Sequence, residues 1–522
     1  MRCIIKNALA PHFHKVLVEK LKGSFFSVII DETTDVSTCK QLAIVTRVYD
    51  DHTQTVQCNL YDLVELPNSD AETMFEAICS SFEKESIPLS NIIGFAADTT
   101  NVMFGQHNSV ASRLLKAIPH IYLMKCICHS AHLCASHACE KLPRTAEDLL
   151  HDVYNYFCHS AKRQQDLKNF QYFTETEPHR LLKASQTCWL SLHSCVARLI
   201  EQWDTLLQYF EMAVKRDNLL VTEKNLSLMK NPILKLYFLF LDFVLPKFTG
   251  LNLMFQSAKV SIHCLHSSFV AIYKEFLSCY MVESYWKFTT LQNIDPSSQV
   301  NMLPLTKMYM GTKIALCLPT AEYRNRVPDV QYFLKRVQEF YVEATSQIKK
   351  RFPIGDPVIE MLQVLNPNTK HSEYPSLVPL AQRFPNFVPD SKMQQLDDEW
   401  RKLTIVSLPF DHEDMDPEEF FSRLNKLSDG TGNPPFGVLC KFMQTLLCLP
   451  HSNVDVERTF SDVSAIKTKK RNRLKVKTLR AILKVKQGVR DSGGCTKFSP
   501  PSTARKLMLS DTLYQSSESD SD

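Results

Sequence analysis

A short apolar run that ends in acid constrains this chain more than any other feature. Phe25–Phe26–Ser27–Val28–Ile29–Ile30 is rich in aromatic and β-branched residues, the pattern of a strand buried on both faces. It stops in Asp31–Glu32–Thr33–Thr34–Asp35, which places three carboxylates within five positions. An acid at the tip of a buried strand is held by a rigid element at a sheet edge, where open α/β sheets keep their chemistry. One carboxylate does not hold a divalent cation for phosphodiester chemistry, so partner acids are expected from distant parts of the chain.

Composition narrows the class. The chain has 522 residues, enough for two to three domains, and only 12 glycines, which disfavours glycine-loop nucleotide folds. Net charge is +4, so any nucleic-acid surface is a local patch. The 17 cysteines have no framework spacing and point to free thiols in a reducing compartment. Met1 to Ala10 lacks the long apolar core of a signal peptide. The greasiest stretch, Ile233 to Phe255, is broken by Lys235, Asp242, Pro246 and Lys247 and reads as a buried helix pair, not a membrane span. No small-molecule substrate or membrane partner is indicated.

Taken in order, residues 1–23 predict a helix with Val16, Leu17, Leu21 and Val18 as its apolar candidates. Strands follow at Leu42–Tyr49 and Val56–Leu66. Asn68–Ser69–Asp70 caps a helix over Ala71–Glu83, with Met74, Phe75, Ile78 and Phe82 inward. Asn91 to Asp98 repeats the opening device, an apolar strand ending in an acid. A helix is predicted over Asn108–Ile118, a strand over Ile121–Ile127 and a helix over Ser130–Leu142. Three consecutive strands, then alternating helix and strand, describe a mixed α/β sheet over residues 24–142. From 143 to 430 helical periodicity dominates, and this stretch reads as an all-helical insertion. Residues 431–490 hold an apolar helix over Val438–Leu449, stopped by Pro450, and a further helix capped by Ser452 or Asn453 that carries Glu457. Residues 491–522 read as a disordered acidic Ser-rich tail.

Three groups carry candidate chemistry. Asp31 and Asp98 cap strands and Glu457 lies early in a late helix. Such carboxylates could bind two Mg²⁺ or Mn²⁺ ions about 4 Å apart, and could equally cap local turns. Cys126, Cys128, His129, His132, Cys134, His137 and Cys139 cluster, but no second pair follows at finger spacing, so a structural zinc is not expected. Lys467 to Arg490 carries 11 Lys and Arg and no acid, with Leu474, Leu479, Ile482, Leu483 and Val485 at near-helical spacing. Lys469, Lys470, Arg471 and Arg473 within it are candidate DNA-backbone contacts and resemble a nuclear import signal.

Five stretches resemble the hAT superfamily of DNA transposases and the host proteins derived from them. They are Phe26 to Ser37, Gly94 to Gly105, Cys126 to Leu133, Ser185 to Ser191, and Ser452 to Ser461 with Arg471–Asn472–Arg473–Leu474 after it. The resemblance implies an RNase H-like mixed sheet interrupted by a large all-α insertion, and a catalytic triad carried over to Asp31, Asp98 and Glu457, with Asp35 as alternative first acid. It also implies that His129 orders the site or touches a flipped base and that Trp189 stacks on one. Two departures stand out. No BED zinc finger precedes the match, and Cys188 stands where the family tends to have arginine. The expected function is therefore metal-dependent DNA cleavage and transfer in a truncated or domesticated form. The alternative is a catalytically silent nuclear protein acting through dimerisation. Residues 431–490 correspond to the family's dimerisation region. There Val438–Leu449 and Glu457–Phe460 are expected to close the sheet, leaving Leu479, Ile482 and Leu483 as the homodimer surface.

Overall fold

The first strand forms on the apolar run but continues past it, β1 at Phe26–Thr34, so Asp31 lies within the strand, paired opposite Ala43, and not at its tip; β1 is the centre of the sheet. In the computed structural model, residues 2–34, 39–183, 189–217, 219–257, 259–368, 374–429, 432–509 and 513 are described. The chain divides into two compact units. One comprises Met1–Cys126, Gln256–Leu265 and Pro357–Asp522; the other comprises Ile127–Phe255 and His266–Asp356.

The first unit opens on a π-helical turn, Ile4–Leu9, that runs into α1 (Ala10–Gly23). Val18 and Leu21 are buried, Leu17 packs beside them, and Val16 is 53% exposed. Helical geometry explains the difference. Residues 17, 18 and 21 are three or four apart and share a face, which 16 does not. After β1 come β2 (Lys40–Asp50), β3 (Thr55–Glu65), α2 (Ala71–Glu83) and β4 (Ile92–Ala97). Then follow α3 (Asn101–Phe104), α4 (Val110–Ala117) and β5 (Tyr122–Lys125). Asp70 caps α2 by accepting from the Thr73 amide at 2.9 Å. The sheet order is β3-β2-β1-β4-β5; the first three strands are antiparallel and β1, β4 and β5 are parallel.

Alternation along β1 assigns the two faces. Phe26, Val28 and Ile30 join Phe95, Met74, Ile78, Phe82 and Leu114 in one core with α1, α2 and α4. Ser27, Ile29 and Asp31 therefore face the opposite way. C-terminal elements pack there: the helices Gly437–Leu446 and Val454–Ile466 contact the sheet. Leu439, Phe442, Met443, Leu446 and Leu449 are fully buried, as expected for a segment that closes the sheet. Residues 357–429, expected in the insertion, belong to this unit. Its helix Met393–Leu403 buries Leu396 and Trp400, and Glu399 accepts from the Leu439 amide at 2.8 Å. Arg383 likewise donates to the carbonyl of His120 at 2.8 Å. The tail also departs from expectation. Ser502–Lys506 is helical, Ala504 and Leu513 are buried, and Asn7 donates to the Leu513 carbonyl at 2.8 Å. Residues 510–512 and 514–522 of the expected disordered tail lie outside the described residues.

The second unit is helical throughout its main elements and begins with α5 (Ile127–Cys139), which sequence periodicity had attached to the sheet. The greasy stretch is one continuous helix, Pro232–Phe255, with Pro246 inside it, not a helix pair. It is long and apolar enough to cross a membrane, with a mean hydropathy of 1.4. Here it packs against α5 and the helix Trp189–Glu201, and Phe240 stacks edge-on against Phe340 at 5.0 Å.

Candidate functional site

Asp31 reaches its place by strand arithmetic. It shares a face with Ser27 and Ile29, the face the C-terminal helices cover. In the parallel pairing of β1 with β4, Ile29 lies opposite Ala96. Two residues beyond that last registered pair come Asp31, still within β1, and Asp98, just past the end of β4, and the Asp98 charge acts on Asp31. Asp98 ends its strand in a local turn, its Oδ1 accepting from the Thr100 amide at 3.3 Å and the Thr100 hydroxyl at 2.8 Å. Asp31 Oδ1 accepts from the Glu32 amide at 2.9 Å.

Glu457 comes from the helix Val454–Ile466, and a set of polar ties seats that helix on the sheet. The Cys126 thiol donates to Asn453 Oδ1 at 2.7 Å, so the N-cap side chain serves the sheet and not its own helix. Buried Arg47 in β2 donates to the Leu447 carbonyl at 3.3 Å and lies 4.0 Å from Asp455. The Cys58 thiol of β3 donates to the same carboxylate at 3.0 Å. Gly94 is required at the crossing, because a Cβ there would stand 2.6 Å from both Pro450 Cδ and Ser27 Oγ. None of these ties was singled out in the sequence. The available signal was Arg47, the one charged residue between Leu42 and Tyr49.

The charges of the other two acids reach Asp31. Burial, then the charges of Asp98, Glu457 and Glu32, push Asp31 up to about 7, against the Glu32 amide that favours its anion. Glu457 is open to solvent at its edge, yet surrounding protein strips enough water to raise its pKa while Arg458 opposes the shift. Asp31 thus holds a proton near neutral pH, first because it is buried and then because like charges crowd it. Three carboxylates are hard oxygen donors suited to Mg²⁺ or Mn²⁺, and a cation would offset that crowding. Among the described residues, no three His, Cys, Asp or Glu side chains stand in ready-made metal-binding geometry. The donor chemistry fits such an ion; the ligand cage is not closed. Asp35, the alternative first acid, lies outside the described residues.

The remaining candidates separate. Lys469, Lys470 and Arg471 form an exposed 3₁₀ turn, with Arg473 exposed after it. His129 lies on α5 in the second unit, its ring 6.2 Å from that of His132. Burial and then His129 bring His132 down to about 4. Trp189 begins the helix Trp189–Glu201, its side chain outside the described set, as is Cys188. Cys126 and Cys128 belong to different units. Leu479 and Leu483 contradict the expected partner surface. Both are buried, at 0% and 4% exposure, on the helix Val476–Asp491 that packs on β3 and α1, while Ile482 is half-buried. The apolar stripe is used inside the chain because the edge strand β3 and α1 need a cover.

Comparison with known proteins follows this division. Residues 3–109 match the ZMYM1/FAM200 RNase-like domain, and residues 401–489 match the hAT family C-terminal dimerisation region. Over its second matched region the chain is similar to hAT proteins. The first matched region holds Asp31 and Asp98, and the second holds Glu457. This hAT-like chain is also 24% identical over 189 residues to the mouse General transcription factor II-I repeat domain-containing protein 2. That match covers 35% of the chain and 20% of the relative, so the chain spans about a fifth of that protein.

Proposed function

We propose that the chain is a hAT transposase-like protein whose ancestral activity is metal-dependent DNA strand cleavage and transfer. The observation that carries this reading is the charge crowding of Asp31 by Asp98 and Glu457, three acids drawn from both ends of the sequence. Asp31, Asp98 and Glu457 would hold Mg²⁺ or Mn²⁺, which supplies Lewis-acid polarisation of a phosphate when bound. The residues' own parts are distinct. β1 and β4 fix the two aspartates on a rigid edge, and Glu457 brings the third carboxylate with its seated helix. The exposed Lys469–Arg471 turn and Arg473 would contact the DNA backbone, His129 and Trp189 would meet an unstacked base, and the protein would act in the nucleus. The transcription-factor name of the mouse relative supports the last point.

The test is a Mn²⁺-dependent nicking assay on duplex DNA with the wild type and Asp98→Ala. Weak nicking that the variant abolishes is the expected result. Equal nicking by both would defeat the assignment. A second reading, a catalytically silent protein that works through self-association, is favoured by the commitment of Asp98 Oδ1 to two Thr100 donors. Absence of nicking together with a stable dimer would establish it.

A further inference from the structure

We propose that the groove between α1, the edge strand β3 and the helix Val476–Asp491 binds a phosphate group. It shares no residue with the acid cluster. Its cavity measures about 480 Å³ and is lined by five cationic side chains, Lys6, Lys84, Lys477, Arg480 and Lys484, against two carboxylates, Asp62 and Glu85. Both carboxylates are engaged within the wall. Asp62 accepts from Arg480 at 2.6 Å, and Glu85 lies 3.2 Å from His14 Nε2. The excess of positive charge therefore faces the cavity.

Lys484 is the informative residue. It is half-buried, and among the described residues its ammonium donates to one acceptor, the ring Nδ1 of His14 at 2.7 Å. The other side of the group is the Tyr61 ring, whose centroid is 5.9 Å away. Accepting that bond requires a neutral His14, and burial and then Lys484 lower the His14 pKa accordingly. Burial also brings Lys484 down to about 8, with Asp62 and Glu85 opposing the shift and Arg480 adding to it. A desolvated ammonium that meets a neutral imidazole in place of an anion is costly to keep. A phosphate oxygen would complete its coordination through a charge-assisted bond, with Arg480, Lys477 and Lys84 positioned to share the remaining charge. The cavity holds more than one phosphate group, which suits either a free polyphosphate or consecutive phosphates of a nucleic-acid backbone.

The experiment is calorimetric titration of the full chain, without divalent metal, with tripolyphosphate and separately with a short DNA duplex. Wild type is compared with Lys484→Gln and Lys477→Gln. Each variant is expected to weaken tripolyphosphate binding roughly tenfold, the loss of one charge-assisted contact. If duplex DNA competes with tripolyphosphate and loses affinity in the same variants, the phosphate is that of a backbone. If duplex affinity is unchanged, it belongs to a small ligand. No binding of tripolyphosphate by the wild type, or wild-type affinity in both variants, overturns the proposal. Lys477 is exposed, so Lys477→Gln decides the matter if Lys484→Gln does not fold. The titration needs no strand cleavage, so its outcome is independent of the nicking assay.

Discussion

Asp31 couples the candidate chemistry to stability through pH. Its carboxyl holds a proton up to about 7 in the fold, whereas an unfolded aspartate releases it near 3.8. Between those values the folded state binds more protons than the unfolded one, so stability falls as pH rises through this window and is flat above it. Asp31→Asn removes the effect. At pH 8 the variant is expected to be more stable than wild type by on the order of 4 kcal/mol, with the difference gone near pH 4. Urea melts of both proteins at the two pH values measure it. A wild type whose stability rises across the window would mean that neither burial nor its neighbours keep a proton on Asp31. Added Mn²⁺ at pH 8 should raise the melting temperature of wild type more than that of the variant.

The helix Val454–Ile466 owes its position to buried polar contacts, and these are open to mutation. Arg47→Ala leaves the buried Leu447 carbonyl without its donor and Asp455 with Arg458 as its remaining cation, and is expected to cost about 3 kcal/mol, with Arg47→Met costing less. Chemical denaturation distinguishes the two. Gly94→Ala drives a methyl into Pro450 and Ser27 and should cost about 1–3 kcal/mol. A neutral Gly94→Ala would show that the crossing is looser than these distances imply. Leu483→Glu belongs at the same scale. The side chain is buried against the chain's own elements, so the variant should unfold rather than dissociate a dimer, which circular dichroism and light scattering read together.

For the molecule as a whole, the match to a dimerisation region requires a surface other than Leu479 and Leu483. Among the described residues of 401–489, Ile405 at 82% and Val406 at 41% exposure are the large apolar side chains left in solvent. They follow the helix Met393–Leu403 and are not needed for its packing. Light scattering on the wild type should show concentration-dependent self-association that Ile405→Glu reduces at unchanged secondary structure. A variant that associates as wild type does would place the interface elsewhere.

Much of the sheet was legible in the sequence because its signals are local. The period-two runs, the Asp70 cap and the apolar runs leading to Asp31 and Asp98 each depend on a few consecutive residues; β1 departs by running on through Asp31 to Thr34, because its pairing with β2 continues that far. The resemblance supplied the pairing of those acids with Glu457, which no local rule connects. Tertiary structure alone decided which apolar stripe faces inward. Leu479 and Leu483 read as a spare surface in one dimension, and only the uncovered edge of β3 explains why they are buried. It also decided the division of the chain, since residues 357–429 are helical like the unit they follow and are set apart by what they touch. Periodicity shows that a face is apolar; which neighbour covers it depends on residues hundreds of positions away.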